Sequence, residues 1–183
     1  APSVNNKGVV IAKLGTVGLV SGEATTVDFV GNDLIAFTIK KPVEGQVLDK
    51  DGNLISDRIS NSGSIQADGG QVILSAKNAS SIIRDVINAE GMITAKTVTK
   101  KQGRIFIGGG DQGNVNVAGT LDASGQNPGD QGGKITVAGA SVTVDKGSIQ
   151  AKGNDAKGGE VTIIGTDLVS AAGVMDVSGK TGG

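Results

Sequence analysis

A glycine followed two and four residues later by apolar side chains recurs along this 183-residue chain, and no other feature limits its folding as strongly. It stands in NNKGVVIA, SNSGSIQA, NAEGMITA, VAGTLDA, DKGSIQA and AAGVMDV, anchored at Gly8, Gly63, Gly91, Gly119, Gly147 and Gly173. From Gly63 onward the anchors lie 28, 28, 28 and 26 residues apart, and the 55 residues between Gly8 and Gly63 leave room for two units. Val10, Ile65, Ile93, Leu121, Ile149 and Met175 take the first inward position, and Ala12, Ala67, Ala95, Ala123, Ala151 and Val177 the second. A spacing of two is the period of a strand.

A second short strand follows the anchor, at Val17 and Leu19, Val72 and Leu74, Ile105 and Ile107, Ile135 and Val137, and Val161 and Ile163. Its distance from the anchor grows from nine residues to fourteen or more as loops such as SGQNPGDQGG and KGNDAKGG lengthen, so the order of elements is firmer than the period. A third apolar position, four residues before the anchor, holds Val4, Ile59, Ile87, Val115 and Val169, with Thr143 as the exception.

One such unit cannot bury its own apolar face, whereas stacked units pair each strand with its copies at ~4.8 Å spacing. The expected fold is therefore all-β, a right-handed parallel β-helix solenoid of six to seven coils over residues 1–183 as one domain. The recurring Ala suits a narrow interior in which like stacks on like. The polar column Asn5, Ser60, Asn88, Asn116 and Ser170 fits either a ladder of side-chain hydrogen bonds or ordinary solvated turn residues. A β-sandwich would not repeat the same inward residue types at near-constant spacing, and the L-x-x-L-x-L of leucine-rich repeats is absent.

Residues 23–58 depart from the repeat. TTVDFVGNDLIAFTI reads as two strands joined by Gly31, Asn32 and Asp33, and QVLDKDGNLISD as another pair around Asp51, Gly52 and Asn53. Both are expected to be antiparallel hairpins projecting from the coils. Phe29 and Phe37 suggest an apolar patch where the excursion folds back. A turn or two of helix is conceivable only at Asn78–Val86, against its β-branched content.

Composition agrees with a turn-rich β protein. Gly makes up 31 of 183 residues with only three Pro, and the core must be aliphatic because the chain has three Phe and no Trp, Tyr, His or Cys. The glycines lack the strict period of collagen, and the apolar content is too high for disorder. A net charge of −1, without a basic tract or aromatics for stacking, argues against nucleic acid as a partner. No apolar run approaches the ~20 residues that span a bilayer, and APSVNNKG is not a signal peptide, so an exported chain is expected to be already processed or excised from a precursor.

The chemical signals are weak. Asp49, Asp51 and Asn53 imitate the start of a calcium loop, but Gly52 arrives too early and no Glu closes it. GGGDQGN from Gly108 and QGGK from Gln131 lack the Lys-Ser or Lys-Thr of a phosphate loop and the spacing of calcium nonapeptides. Asp68, Asp122, Asp145 and Asp176 are scattered, although Asp122 and Asp176 share the outward position three after the glycine, ~10 Å apart if two coils separate them. No catalytic, cofactor-binding or metal site is expected, and no enzyme. A polysaccharide-cleaving β-helix enzyme is the less favoured alternative.

ISNSGSIQADGGQVILSAKNAS, VINAEGMITAK, and GTLDASG with QGGKITVAG resemble coils of the filamentous haemagglutinin-type exoproteins of two-partner secretion, most specifically over Ile59–Lys96. That resemblance implies export through a partner pore in the outer membrane of a Gram-negative bacterium. It further implies location at the cell surface and a role in adhesion, biofilm or cell–cell contact, with a host-cell or matrix receptor or a neighbouring bacterial surface as partner. Absence of Cys fits a chain that crosses the outer membrane unfolded. Residues 1–58 resemble the end of a secretion domain without its N-terminal cap and Asn-Pro-Asn-Gly stretch, and 59–183 regular coils. Both ends stop inside the repeat, so the expected role is the non-catalytic shaft of a larger adhesin. The alternative is a filament subunit self-associating head to tail through its coil ends. An ice- or carbohydrate-binding face would need an outward Thr or aromatic array, which is lacking.

Overall fold

The computed structural model describes residues 1–30, 34–79 and 86–181. The repeat emerges as triplets of short strands: β1 (Val4–Asn6), β2 (Val9–Ile11) and β3 (Thr16–Ser21) open the body. A hairpin of β4 (Ala24–Val30) and β5 (Leu34–Lys41) follows. The body resumes with β6 (Ile59–Asn61), β7 (Ser64–Gln66), β8 (Gln71–Ala76), β9 (Ile87–Ala89), β10 (Met92–Thr94) and β11 (Arg104–Gly108). It continues with β12 (Val115–Val117), β13 (Thr120–Asp122), β14 (Lys134–Val144), β15 (Ser148–Gln150), β16 (Glu160–Ala171) and β17 (Val174–Asp176).

One sheet runs β17-β15-β13-β10-β7-β2, all parallel. The larger sheet follows the path β1-β6-β9-β12-β14-β11-β8-β3, with β16 added on β14. This path overturns the expected open solenoid. β14 and β16 are single strands of 11 and 12 residues where a corner should separate two ladders. The first half of β14 pairs with β11 and its second half with β12, so the sheet climbs one flank and descends the other. The terminal strands of the path, β1 and β3, come back into contact. Eight parallel strands thus form a near-closed parallel barrel rather than an open right-handed β-helix. The physical reason lies at Gly139, between the second-strand pair Ile135 and Val137 and the next anchor, where an open coil would need a corner. Its backbone stays extended, and the β14–β16 register merely slips between Gly139 and Ser141. The adhesin shaft, the head-to-tail filament and the β-helix enzyme all presuppose the open stack, and they fall with it.

The interior is a set of aliphatic columns. Ile65, Ile93, Leu121 and Ile149 stack in register and are fully buried, as are Ala67, Ala95, Ala123 and Ala151 beside them. Val72, Ile105 and Ile135 line the opposite wall together with Leu74, Ile107 and Val137. The third column is Ile59, Ile87, Val115 and Val142. Val142, rather than Thr143, takes the inward place, because this unit carries one more residue before its anchor and accommodates it with Lys146 at φ 57°.

The anchor glycines are needed for stacking and not for a left-handed turn. A Cβ on Gly91 would sit 2.0 Å from the Gly63 carbonyl oxygen, and one on Gly119 would sit 2.0 Å from that of Gly91. Those same carbonyls accept the N–H of the residue after the next anchor, Met92 on Gly63 and Thr120 on Gly91. The hydrogen bond that joins two layers therefore occupies the space a side chain would need.

The polar column is a partial ladder: Asn116 Nδ2 donates to Asn88 Oδ1 at 3.0 Å, while Asn88 donates to Glu90. A second amide pair went unanticipated, Asn6 Nδ2 donating to the buried Asn61 Oδ1 at 2.7 Å. Arg58, 0% exposed, donates from Nη2 to the Gly45 carbonyl and to Asn78, and burial lowers its pKa. In the 42–58 segment, Leu48 and Leu54 bridge antiparallel around Asp51–Asn53. The helical turn considered at Asn78–Val86 falls on 80–85, and the hairpin turn on 31–33, both outside the described residues.

Candidate binding groove on the outer sheet face

Alternation along β3, β8, β11, β14 and β16 sends every second side chain outward. In register these outward rows read Thr16, Gln71, Arg104, Lys134, Glu160, then Gly18, Ile73, Phe106, Thr136, Thr162. The β4–β5 hairpin folds onto the first strands of this face. Phe37 lies over Gly18, where a Cβ would meet its ring at 2.4 Å, and Ile39 lies over Gly22 in the same way. Gln71 ties the two layers together, its amide donating to Thr16 Oγ1 at 3.1 Å and to the Ile35 carbonyl at 3.3 Å. At the hairpin base Glu23 pairs with Lys41 and accepts the Glu44 N–H, and the Lys41 bond first of all holds its carboxyl below the ordinary range.

Beyond the hairpin the face is open. Two cavities of about 610 and 410 Å³ lie end to end along β5, both walled by Phe37 and Phe106. Phe106 is 41% exposed, and its ring lies along its own strand over Gly108. The larger cavity carries Arg104 and Lys134; the smaller reaches Lys77, Gly110 and Asp111. A third cavity of about 500 Å³ adjoins the larger through Gln71 and Arg104 and brings Lys100 and Lys101. Lys134 is held by Glu160 at 2.8 Å, a bond that depresses the Glu160 pKa. Lys100, Lys101 and Arg104 have no ion pair among the described residues. One end of the groove is thus basic.

The residues singled out in the sequence lie elsewhere and are not gathered. Asp68 accepts the Gln66 side-chain amide and the Lys96 N–H, closing a turn. Asp122 and Asp176 are in register across the single strand β15, yet each accepts a backbone N–H two residues on and faces a lysine of its own, Lys96 and Lys152. Asp145 is exposed, in the turn between β14 and β15. Asp49 Oδ1 accepts the N–H groups of Asp51 and Asn53, a local turn that uses up the oxygen a calcium ion would need. In QGGK, Gly132 and Gly133 are pressed against the carbonyls of Ala151 and Gly103, leaving no cradle for a phosphate. Gly110 of GGGDQGN, at φ +73°, borders the smaller cavity. Among the described residues no three His, Cys, Asp or Glu side chains could hold a metal ion.

The groove itself escaped sequence reasoning. Its local signals are Phe37, singled out for an apolar patch where the excursion folds back, and Phe106, an aromatic at the outward place between inward Ile105 and Ile107.

The long loop after β13 carries a pH-sensitive clasp. Asp130, 5% exposed, accepts the Asn127 N–H and Nδ2, each at 2.9 Å, and the Asn127 backbone bond is the main cause of its lowered pKa. A carboxyl whose folded pKa is depressed stabilises the fold above its unfolded value, near 3.9, and that contribution disappears as pH falls through the folded pKa. Protection of the Asn127 amide, taken relative to its intrinsic exchange at each pH, is therefore expected to fall on acidification below about pH 4, and Asp130→Asn is expected to remove that acid limb. An unchanged exchange profile in the variant would assign the clasp no role.

Comparison with protein-family models and with curated proteins returns no match to this sequence.

Proposed function

We propose that this domain is a non-catalytic binding module that holds an extended ligand in the groove between β5 and the outer face of β8, β11 and β14. The carrying observation is the continuity of the groove: contiguous cavities share Phe37, Phe106, Gln71 and Arg104, on a wall whose rear is the fully packed core. Phe106 sits on a parallel strand of the body and Phe37 on the antiparallel hairpin packed against it, and a preformed apolar cleft with a few charged groups is the usual form of a binding site. We place the module outside the cell at a Gram-negative surface, delivered by an outer-membrane pore, with a host or neighbouring-cell component as its target. The resemblance of Ile59–Lys96 to secreted exoproteins and the Cys-free composition support that placement.

The test is retention of the purified domain on immobilised host-cell or bacterial surface extracts. Phe106→Lys is expected to weaken retention about tenfold, the scale of one central aromatic anchor. Val9→Lys, an outward substitution on the remote strand β2, is expected to leave it unchanged. Equal retention of wild type and Phe106→Lys would remove the groove from the function.

A further inference from the structure

Resting on the reading of the groove as the ligand site, we infer that its occupant is an extended peptide segment that adds to the free edge of β5 and carries acidic residues at one end. Among the described residues β5 is hydrogen-bonded to β4 and to no other strand, so one of its edges has no partner strand there. Five consecutive β5 residues, Ile35 to Ile39, line the two cavities, and among the described side chains no β4 residue lines either. The unpaired edge therefore faces the groove. The Ile35 carbonyl accepts the Gln71 side-chain amide, which shows a β5 backbone acceptor reached by a donor from this face.

Such an edge recognises a main chain by strand addition, while alternate side chains of the guest enter pockets below it. Here the pocket floor is Ile73, Phe106 and Thr136, apolar enough for β-branched or aliphatic side chains. Five residues of edge span ~17 Å, which sets the paired stretch of the guest at about five residues. The Ile35 end of this track opens towards Arg104, Lys100 and Lys101, three cations without ion pairs among the described residues. They complement carboxylates on the guest beyond its apolar run. A glycan is less well matched, because the floor presents few hydrogen-bonding side chains between Gln71 and Ser75.

The probe is a fluorescent peptide of alternating Val and Thr, five residues long, followed by three Asp, titrated by anisotropy against the full chain. Saturable binding is expected, weakened by added salt as exposed charges are screened. Replacing its Asp by Lys is expected to abolish binding, and Arg104→Glu and Phe106→Lys each to weaken it about tenfold or more. Phe106→Ala serves as a second variant if the lysine alters the melting temperature. Methylating alternate peptide nitrogens separates strand addition from side-chain contact without touching the protein: one alternation is expected to abolish binding and the other to leave it. Equal binding of both methylated peptides would overturn strand addition. If polygalacturonate binds in a Phe106-dependent way and the peptide does not, the groove stands and the peptide inference falls. If neither binds, both fall.

Discussion

Substituting Gly91 by alanine is expected to destabilise the domain by about 4 kcal/mol, the upper range for a single substitution, whereas the same change at Gly8 is expected to stay within ~0.5 kcal/mol. The two glycines occupy equivalent places in the repeat. At Gly91 the added methyl would lie 2.0 Å from the Gly63 oxygen, which is already accepting the Met92 N–H. At Gly8, beside the terminal strand of its sheet among the described residues, the nearest atom is the Asn6 side-chain oxygen at 4.0 Å. Relief at Gly91 requires two backbones to separate, and separating them breaks the inter-layer bond. Because neither glycine has a positive φ, the contrast isolates stacking from backbone strain. In a chain of this length, ~4 kcal/mol corresponds to a fall in melting temperature of roughly 10 °C. Parallel thermal melts of Gly91→Ala and Gly8→Ala measure it. Similar melting temperatures would mean that the layers slide apart at little cost.

Truncating Ile93 to alanine is the second large expected effect, a loss of about 4 kcal/mol. Ile93 is fully buried, and its partners in register, Ile65 and Leu121, are fully buried too, so its column cannot collapse from solvent. The cost combines lost apolar transfer with the cavity left between strands held by their backbone bonds. Ile65→Ala alone is expected to be similar. The double variant should differ from the sum by more than about 0.5 kcal/mol, since the two vacancies merge into one cavity. Denaturant titration of the four proteins reads this directly, and simple additivity would show that neighbouring layers repack independently.

Much of the interior was legible because inward residues recur two apart on each side of a glycine. Ile65, Ile93, Leu121 and Ile149 were identified from spacing, and they form one column. The connection of the sheets was not legible. Whether the chain bends at Gly139 or passes through it depends on the strands of adjacent layers that hold it extended, and the residue itself permits both. The same limit displaced Thr143 by one position, since the extra residue is absorbed at Lys146, where a left-handed backbone is uncommon for a side chain of that size. The groove was less legible still. Its walls come from Phe37, Ile73, Phe106 and Thr136, outward positions on different strands that only lateral pairing and the folding back of the hairpin bring together. Aspartates drew attention in the sequence because carboxylates carry chemistry, yet Asp49, Asp68 and Asp122 serve nearby backbone N–H groups.

The hairpin has a wider consequence. Between Ser21 and Ile59 the chain inserts 37 residues into the repeat, yet β1 pairs with β6 and β3 with β8 as if nothing intervened. Closing a longer loop costs only ~0.6 kcal/mol for each doubling of its length. This seam is accordingly a natural splice point, at which evolution or a protein engineer can exchange one recognition element for another while the layered platform keeps its register. Diversification of ligand preference is expected to concentrate there, and the stacked columns to change little.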